Sequence, residues 1–268
     1  MKAIICIANV AGRVGKSMTA ACVAAELALR GHGTLLVDAD PQAFATEYFM
    51  AAEEVRLSLS DVLVKRSHGD PTWPALARQT EYRLPDVISS TAIENLDLAP
   101  SMISLALFER EPELSIFLLR NELEALRDSY EYVLIDTPPH LGRVLTACLI
   151  ASTHLLIPVA PSPRVQEGPD CVLMLFEQVR LISPELELLG VFSNLLNRDD
   201  PQTWELVKNK DQWFKKKAMK SMLYSDQRIM GCWMHHQTIQ TLAPNSPGAA
   251  MISTLTDEIL KRLISPSS

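Results

Sequence analysis

Gly15-Lys16-Ser17 stands between an apolar run, Ile4 to Ala8, and a helical stretch, and two acidic segments follow it: Asp38-Ala39-Asp40-Pro41-Gln42 and Asp136-Thr137-Pro138-Pro139. A lysine that opens a helix after a glycine-bearing turn suits a phosphate. The loop and the first helical turn aim backbone N–H groups at one point, and the ammonium adds charge. A hydroxyl beside it and carboxylates on nearby strands are the hard oxygen donors that a small divalent cation takes. These residues predict a nucleoside triphosphate site with Mg²⁺, in which Ala11, Gly12, Arg13, Val14, Gly15, Lys16, Ser17 and Met18 form the loop and helix start. Val10 stands where the usual pattern has its first glycine, so the prediction rests on the strand before the loop, the helix after it and the acidic segments downstream.

The elements that must position these groups are readable from periodicity. Met18, Cys22, Ala25 and Leu29 form a helical stripe over residues 17–30, ended by Gly31 and Gly33. Thr34 to Val37, Tyr132 to Ile135 and Leu155 to Val159 are short apolar runs, as expected of strands buried on both faces. Strands alternating with helices predict an α/β fold, a doubly wound, mostly parallel sheet with helices on both faces. Ligands of such sheets sit at the carboxyl ends of the strands, where Asp38, Asp40 and Asp136 fall. The other expected elements are a short helix around Leu57 to Leu63, a surface excursion punctuated by Pro71, Pro74 and Pro85, and strands at Val87-Ile88 and Leu96 to Ala99. A helix from Leu114 to Leu126 would turn Leu114, Phe117, Leu118, Leu123 and Leu126 inward, and another runs from about 166 to 182. The strand Leu188 to Phe192 leads to Asn194 and Asn197. Residues 198–231 read as polar and irregular, and a closing helix, 254–264, starts from a capping box of Thr254 and Asp257.

With 268 residues the chain can build one large core, and a single domain over 1–268 is expected. The net charge of −7 excludes a protein basic all over but leaves room for a local basic face. Cys6, Cys22, Cys148, Cys171 and Cys232 show no metal-ligand or redox spacing and read as buried apolar residues in a reducing cytosol. Met1-Lys2 runs straight into a strand, and no apolar run reaches the roughly 18 residues of a membrane span. A cytoplasmic protein without stable membrane insertion is therefore expected.

Three motifs in order, Gly-Lys-Ser, Asp-x-Asp-Pro-Gln and Ile-Asp-Thr-Pro-Pro, resemble the ParA/MinD family of deviant Walker-box ATPases, its ParA/Soj partitioning branch above all. The segment Pro158 to Pro163 is similar to that branch too, and the likeness covers roughly residues 1–195. The resemblance implies an ATP hydrolase that dimerises on ATP, binds DNA non-specifically and positions DNA or another cargo through a ParB-type adaptor on the nucleoid. It implies that Asp40 orients the attacking water and that Lys16 is catalytic. Ser17, Asp136 and Asp38 would serve Mg²⁺. Asn194 and Asn197 follow a strand at the expected rim, a place that suits hydrogen bonds to the adenine edge or, equally, an Asx turn. Family members usually read Lys-Gly-Gly-Val-Gly-Lys-Thr, and their first lysine reaches the partner's nucleotide. Ala11 cannot do so, which is similar to the McdA proteins, and the cations that could replace that lysine are Arg164, Arg13 and Arg143.

Lys208, Lys210, Lys215, Lys216, Lys217 and Lys220, interleaved with Trp204, Trp213 and Phe214, form the expected DNA-backbone contact, because phosphate neutralisation needs clustered cations and no sequence code. Two alternatives stand beside this reading. Val10, Ala11 and Arg13 suit a nucleotide-binding scaffold with little hydrolysis. A MinD-like membrane-associated switch would want a basic amphipathic C-terminal helix, and Leu255 to Ile264 carries only Lys261 and Arg262. His235-His236 lacks an acidic or cysteine partner at metal spacing.

Overall fold

The computed structural model describes residues 1–64 and 82–264. Strand β1 (Ala3–Ile7) is followed by the loop and helix α1 (Lys16–Leu29), then β2 (Thr34–Asp38). Short helices α2 (Leu59–Leu63) and α3 (Leu84–Val87) precede strands β3 (Ser89–Ser90) and β4 (Leu96–Ala99). A 3-10 helix, Ile103–Arg110, leads through a second one to α4 (Leu118–Glu124) and β5 (Tyr132–Asp136). The chain continues through α5 (Arg143–Ile150), β6 (His154–Val159), α6 (Glu167–Val179), β7 (Glu187–Leu196), α7 (Pro201–Phe214) and β8 (Ala218–Tyr224). It closes with α8 (Gln227–Gly231), α9 (Ile239–Leu242) and α10 (Pro247–Ile264).

Among the described residues the strands form an eight-stranded sheet in the order β3-β4-β2-β5-β1-β6-β7-β8, in which β3 alone pairs antiparallel. Alternate residues of each strand enter opposite cores, as the two-residue period requires. Ile5, Ile7, Leu36, Leu134 and Leu156 pack with α1 and α10, whereas Cys6, Val37, Val133, Ile135 and Ile157 pack with α5 and α6. The doubly wound expectation holds. Strand order places β5 between β1 and β2, with Ile7 and Asp38 both in register with Asp136. The carboxyl ends that carry the chemistry are thereby brought side by side.

Several expected elements differ. Val87 ends helix α3, and the strand beyond it is Ser89–Ser90. Leu29 and Leu114 are 54% and 78% exposed instead of facing the core. The stretch 198–231 is ordered, supplying α7, β8 and α8. Helix α10 begins at Pro247, with the Ser246 hydroxyl accepting the Ala249 N–H at 3.1 Å. Thr254 is therefore inside the helix, its hydroxyl donating to the Ala250 carbonyl. Pro71 and Pro74 lie outside the described residues.

Candidate functional site

The loop between β1 and α1 is built by backbone conformation and three polar anchors. Gly15 has φ 81°, and a Cβ there would lie 2.5 Å from Asn194 Nδ2, so both conformation and space call for glycine. Arg13 also sits in the left-handed region, at φ 59°, without glycine's freedom. Asn9 Oδ1 accepts the Ala11 N–H while its Nδ2 donates to the Pro158 carbonyl, tying the loop's first half to the end of β6. Asn194 Nδ2 donates to the Val14 carbonyl at 2.9 Å from beneath. Thr19 Oγ1 donates to the Gly15 carbonyl.

Lys16 is buried, and its ammonium donates to the Ala11 carbonyl at 3.2 Å, across the loop. Burial pulls its pKa down, while the charges of Asp136 and Asp40 act to raise it. The lysine thus lies within the field of both aspartates. Asp136 is fully buried, and neither of its carboxylate oxygens has a hydrogen-bond partner among the described residues. Desolvation and then the Asp38 charge hold its carboxyl well above the usual range, and the nearby Ser17 hydroxyl pulls the other way without closing a full hydrogen bond. An orphaned carboxylate beside a hydroxyl and an ammonium fits a hard divalent cation with phosphate oxygens, which would supply the missing partners.

Asp38 and Asp40 divide the remaining work. Asp38 Oδ2 accepts both the N–H and the hydroxyl of Thr46, at 2.7 and 2.8 Å, and Oδ1 accepts the Asp40 N–H at 3.1 Å. Burial still pushes its carboxyl up to about 7. These bonds make Asp38 the anchor of the 38–46 turn, in register beside Asp136. Asp40 presents its carboxylate at the same edge, with Oδ1 accepting the Gln42 N–H at 2.9 Å.

Other expected site residues are placed differently. Asn194 lies within β7, fully buried, its amide spent on Val14 and on the Leu195 N–H. It buttresses the loop and does not face an open rim. Asn197 closes an Asx turn on the Asp199 N–H. Arg164 pairs with Glu167 at 3.7 Å, and the backbone N–H of Arg143 is bound by Glu109. Arg13 is exposed, and no ion pair engages it among the described residues. Of the lysines, Lys208, Lys215, Lys216, Lys217 and Lys220 are exposed, whereas Lys210 donates to the Met219 carbonyl. The Lys215–Lys217 turn lies at the start of edge strand β8, which β6 and β7 separate from β1. A cavity of about 200 Å³ between Ser162–Glu167 and α7 is lined in part by Arg164, Glu205 and Trp213, and by none of Lys16, Asp40 or Asp136. Sequence reasoning missed Asn9, Thr46 and Glu109; their partners are distant in the chain or non-periodic.

The sequence matches the AAA domain family over residues 2–188. The sporulation initiation inhibitor protein Soj of Bacillus subtilis is 31% identical over 267 residues, covering 97% of this chain and 98% of that protein. The chain belongs to the ParA/MinD family. Another relative is the chromosome partitioning protein ParA of Myxococcus xanthus, 27% identical over 260 residues, with 97% of this chain and 88% of that protein covered. Among solved structures, cobyrinic acid a,c-diamide synthase of Mycobacterium smegmatis with bound ADP and magnesium shares the family's fold. Its TM-score is 0.80 at 21% identity, over 100% of this chain and 97% of that one. No helix of the described residues is long and apolar enough to cross a membrane.

Proposed function

We propose that this protein is a Mg²⁺-dependent ATPase of partitioning type, acting as a single ParA-like domain that dimerises on ATP, binds DNA non-specifically and moves cargo through a ParB-type adaptor. One observation carries the reading: Lys16 lies buried between the loop carbonyl of Ala11 and the charges of Asp136 and Asp40. Phosphoryl transfer to water needs positioning and charge neutralisation more than covalent chemistry, and these groups suffice. The loop amides from Gly12 to Met18 and the Lys16 ammonium hold the phosphates, the Ala11 N–H being engaged by Asn9. Ser17 and Asp136 hold Mg²⁺, which when bound neutralises charge on the transferring group. Asp40 orients the attacking water, and Asp38 keeps its turn in place.

Arg13 is the favoured replacement for the missing lysine, because it is exposed on the loop itself while Arg164 is paired with Glu167. Phe44, Met102, Ile103 and Leu141 are exposed apolar residues in the segments that follow β2, β4 and β5, which supports a second copy covering this edge. DNA contact falls to Lys208, Lys215, Lys216, Lys217 and Lys220, with Lys210 bracing α7 against β8. The place of action is the cytoplasm, on the nucleoid. The test is phosphate release measured alongside DNA retention with ATP, ADP or no nucleotide. Asp40-dependent release and ATP-dependent retention support the proposal. Tight ATP binding with no Asp40-dependent release would turn it into the scaffold that Ala11 and Arg13 suggest.

A further inference from the structure

Helix α5 starts from Gly142, which has no side chain to cap it, and the cap comes from 33 positions earlier in the chain. Glu109 Oε2 accepts the Arg143 N–H at 2.7 Å, and Oε1 accepts the Val144 N–H at 3.2 Å. Such charge-assisted bonds to a helix start are strong for their kind. A Cβ at position 142 would lie 2.5 Å from Glu109 Oε1 and 2.8 Å from Oε2, so the glycine makes room for the carboxylate. His140 Nε2 stands 3.7 Å from the same Oε1.

The loop so anchored is the one that leaves Asp136. At its near end Thr137 Oγ1 donates to the Ile7 carbonyl at 2.8 Å, and its far end is held by Glu109. Among the described residues Asp136 has no side-chain hydrogen bond of its own, so its aim depends on the backbone on either side. The ring closes through the neighbouring loops. Thr46 Oγ1 donates to Asp38 Oδ2 and accepts the Ser101 N–H at 3.0 Å, and Ser101 enters the 3-10 helix that carries Glu109.

We propose that Glu109 is a positioning residue of the nucleotide site: by capping α5 it fixes the Thr137–Gly142 loop and thereby the Asp136 carboxylate on which divalent-cation binding depends. The inference rests on the nucleotide reading above. Glu109→Ala and Glu109→Gln should be compared with the parent by titrating a fluorescent ATP analogue with and without Mg²⁺, together with unfolding midpoints. In Glu109→Ala the factor by which Mg²⁺ tightens binding should fall about 10-fold, the usual scale for a residue that orients a metal ligand. Mg²⁺-free affinity, set by Lys16 and the loop amides, should stay within about twofold. Glu109→Gln, which keeps one acceptor, should fall between. A Mg²⁺ factor unchanged in Glu109→Ala despite a lowered midpoint would overturn the inference. If Glu109→Ala does not fold, Gly142→Ala decides, since it displaces the carboxylate without removing it: a smaller Mg²⁺ factor supports the proposal and an unchanged one overturns it. A parent protein that binds no nucleotide overturns the functional reading and this inference together, whereas a parent that binds with Mg²⁺ leaves Glu109 alone at stake.

Discussion

The carboxyl edge of β1, β2 and β5 and the lysine-bearing turn before β8 are built on opposite terms. At the first, Lys16, Asp38, Asp40 and Asp136 are all buried; bonds to the loop backbone, Thr46 and the Gln42 N–H fix Lys16, Asp38 and Asp40, while Asp136 is held by its strand backbone. At the second, Lys215, Lys216 and Lys217 are exposed and make no ion pair among the described residues. A buried polar group acts through its location, so each is irreplaceable. An exposed lysine acts through its charge alone, so its neighbours can stand in for it. Changes at the first region should therefore be large and specific, and changes at the second graded and sensitive to salt.

The largest expected effect is at Asp40. Asp40→Ala should lower ATP turnover by about 100-fold or more while leaving nucleotide binding nearly intact, measured by phosphate release and by analogue titration. Equal loss of both would merge two roles that the geometry separates.

The pH response sharpens the same contrast. Burial raises Asp38 to about 7 and raises Asp136 as well, both above the ordinary carboxylate value near 4. The folded, ligand-free protein then binds protons that the unfolded chain does not between those limits. Its stability should rise as pH falls from about 7 to about 5 and fall as pH rises, by roughly 1–3 kcal/mol. Denaturation midpoints at the two pH values check the sign, and Mg²⁺ with nucleotide should flatten the slope by favouring ionised Asp136. A ligand-free protein that gains stability with rising pH in this window contradicts the buried-carboxylate account.

How much of this was legible in the sequence follows from the same division. Strands β1, β2 and β5 are short runs of apolar residues, and the Gly-Lys-Ser turn after β1 with the acidic ends of β2 and β5 named the site. The loop's supports were hidden, because Asn9 bonds Pro158 and Asn194 bonds Val14, contacts 149 and 180 positions apart. Strand β8 was missed because an edge strand with Lys220 and Ser221 reads as polar. Its inward residues Met219, Ser221 and Leu223 alternate with more exposed ones, a signal that was present. The start of α10 was also written, in Ser246-Pro247, a cap followed by a proline at the first helical position.

Moderate effects belong to the lysine turn. Replacing Lys215, Lys216 and Lys217 together with alanine should weaken DNA retention at low salt. The slope of log affinity against log salt should fall by about 1 for each lysine that meets a phosphate. ATP affinity should not change, and a parallel loss would mean that the two regions are not separable.

The smallest effect on stability is expected at Arg13. Arg13→Gly relieves a left-handed backbone position but frees the unfolded chain, two terms of about 1 kcal/mol that nearly offset. The unfolding midpoint should barely move while turnover drops. Unchanged turnover would remove Arg13 from the list of substitutes for the missing lysine.

The central claim is that Lys16 grips a triphosphate in front of Asp136. Titration of a fluorescent ATP analogue into the parent and Lys16→Ala proteins, with and without Mg²⁺, tests it most directly. The expected result is Mg²⁺-enhanced binding by the parent and none by Lys16→Ala at equal protein stability. Equal affinity of the two proteins for the analogue would contradict the account.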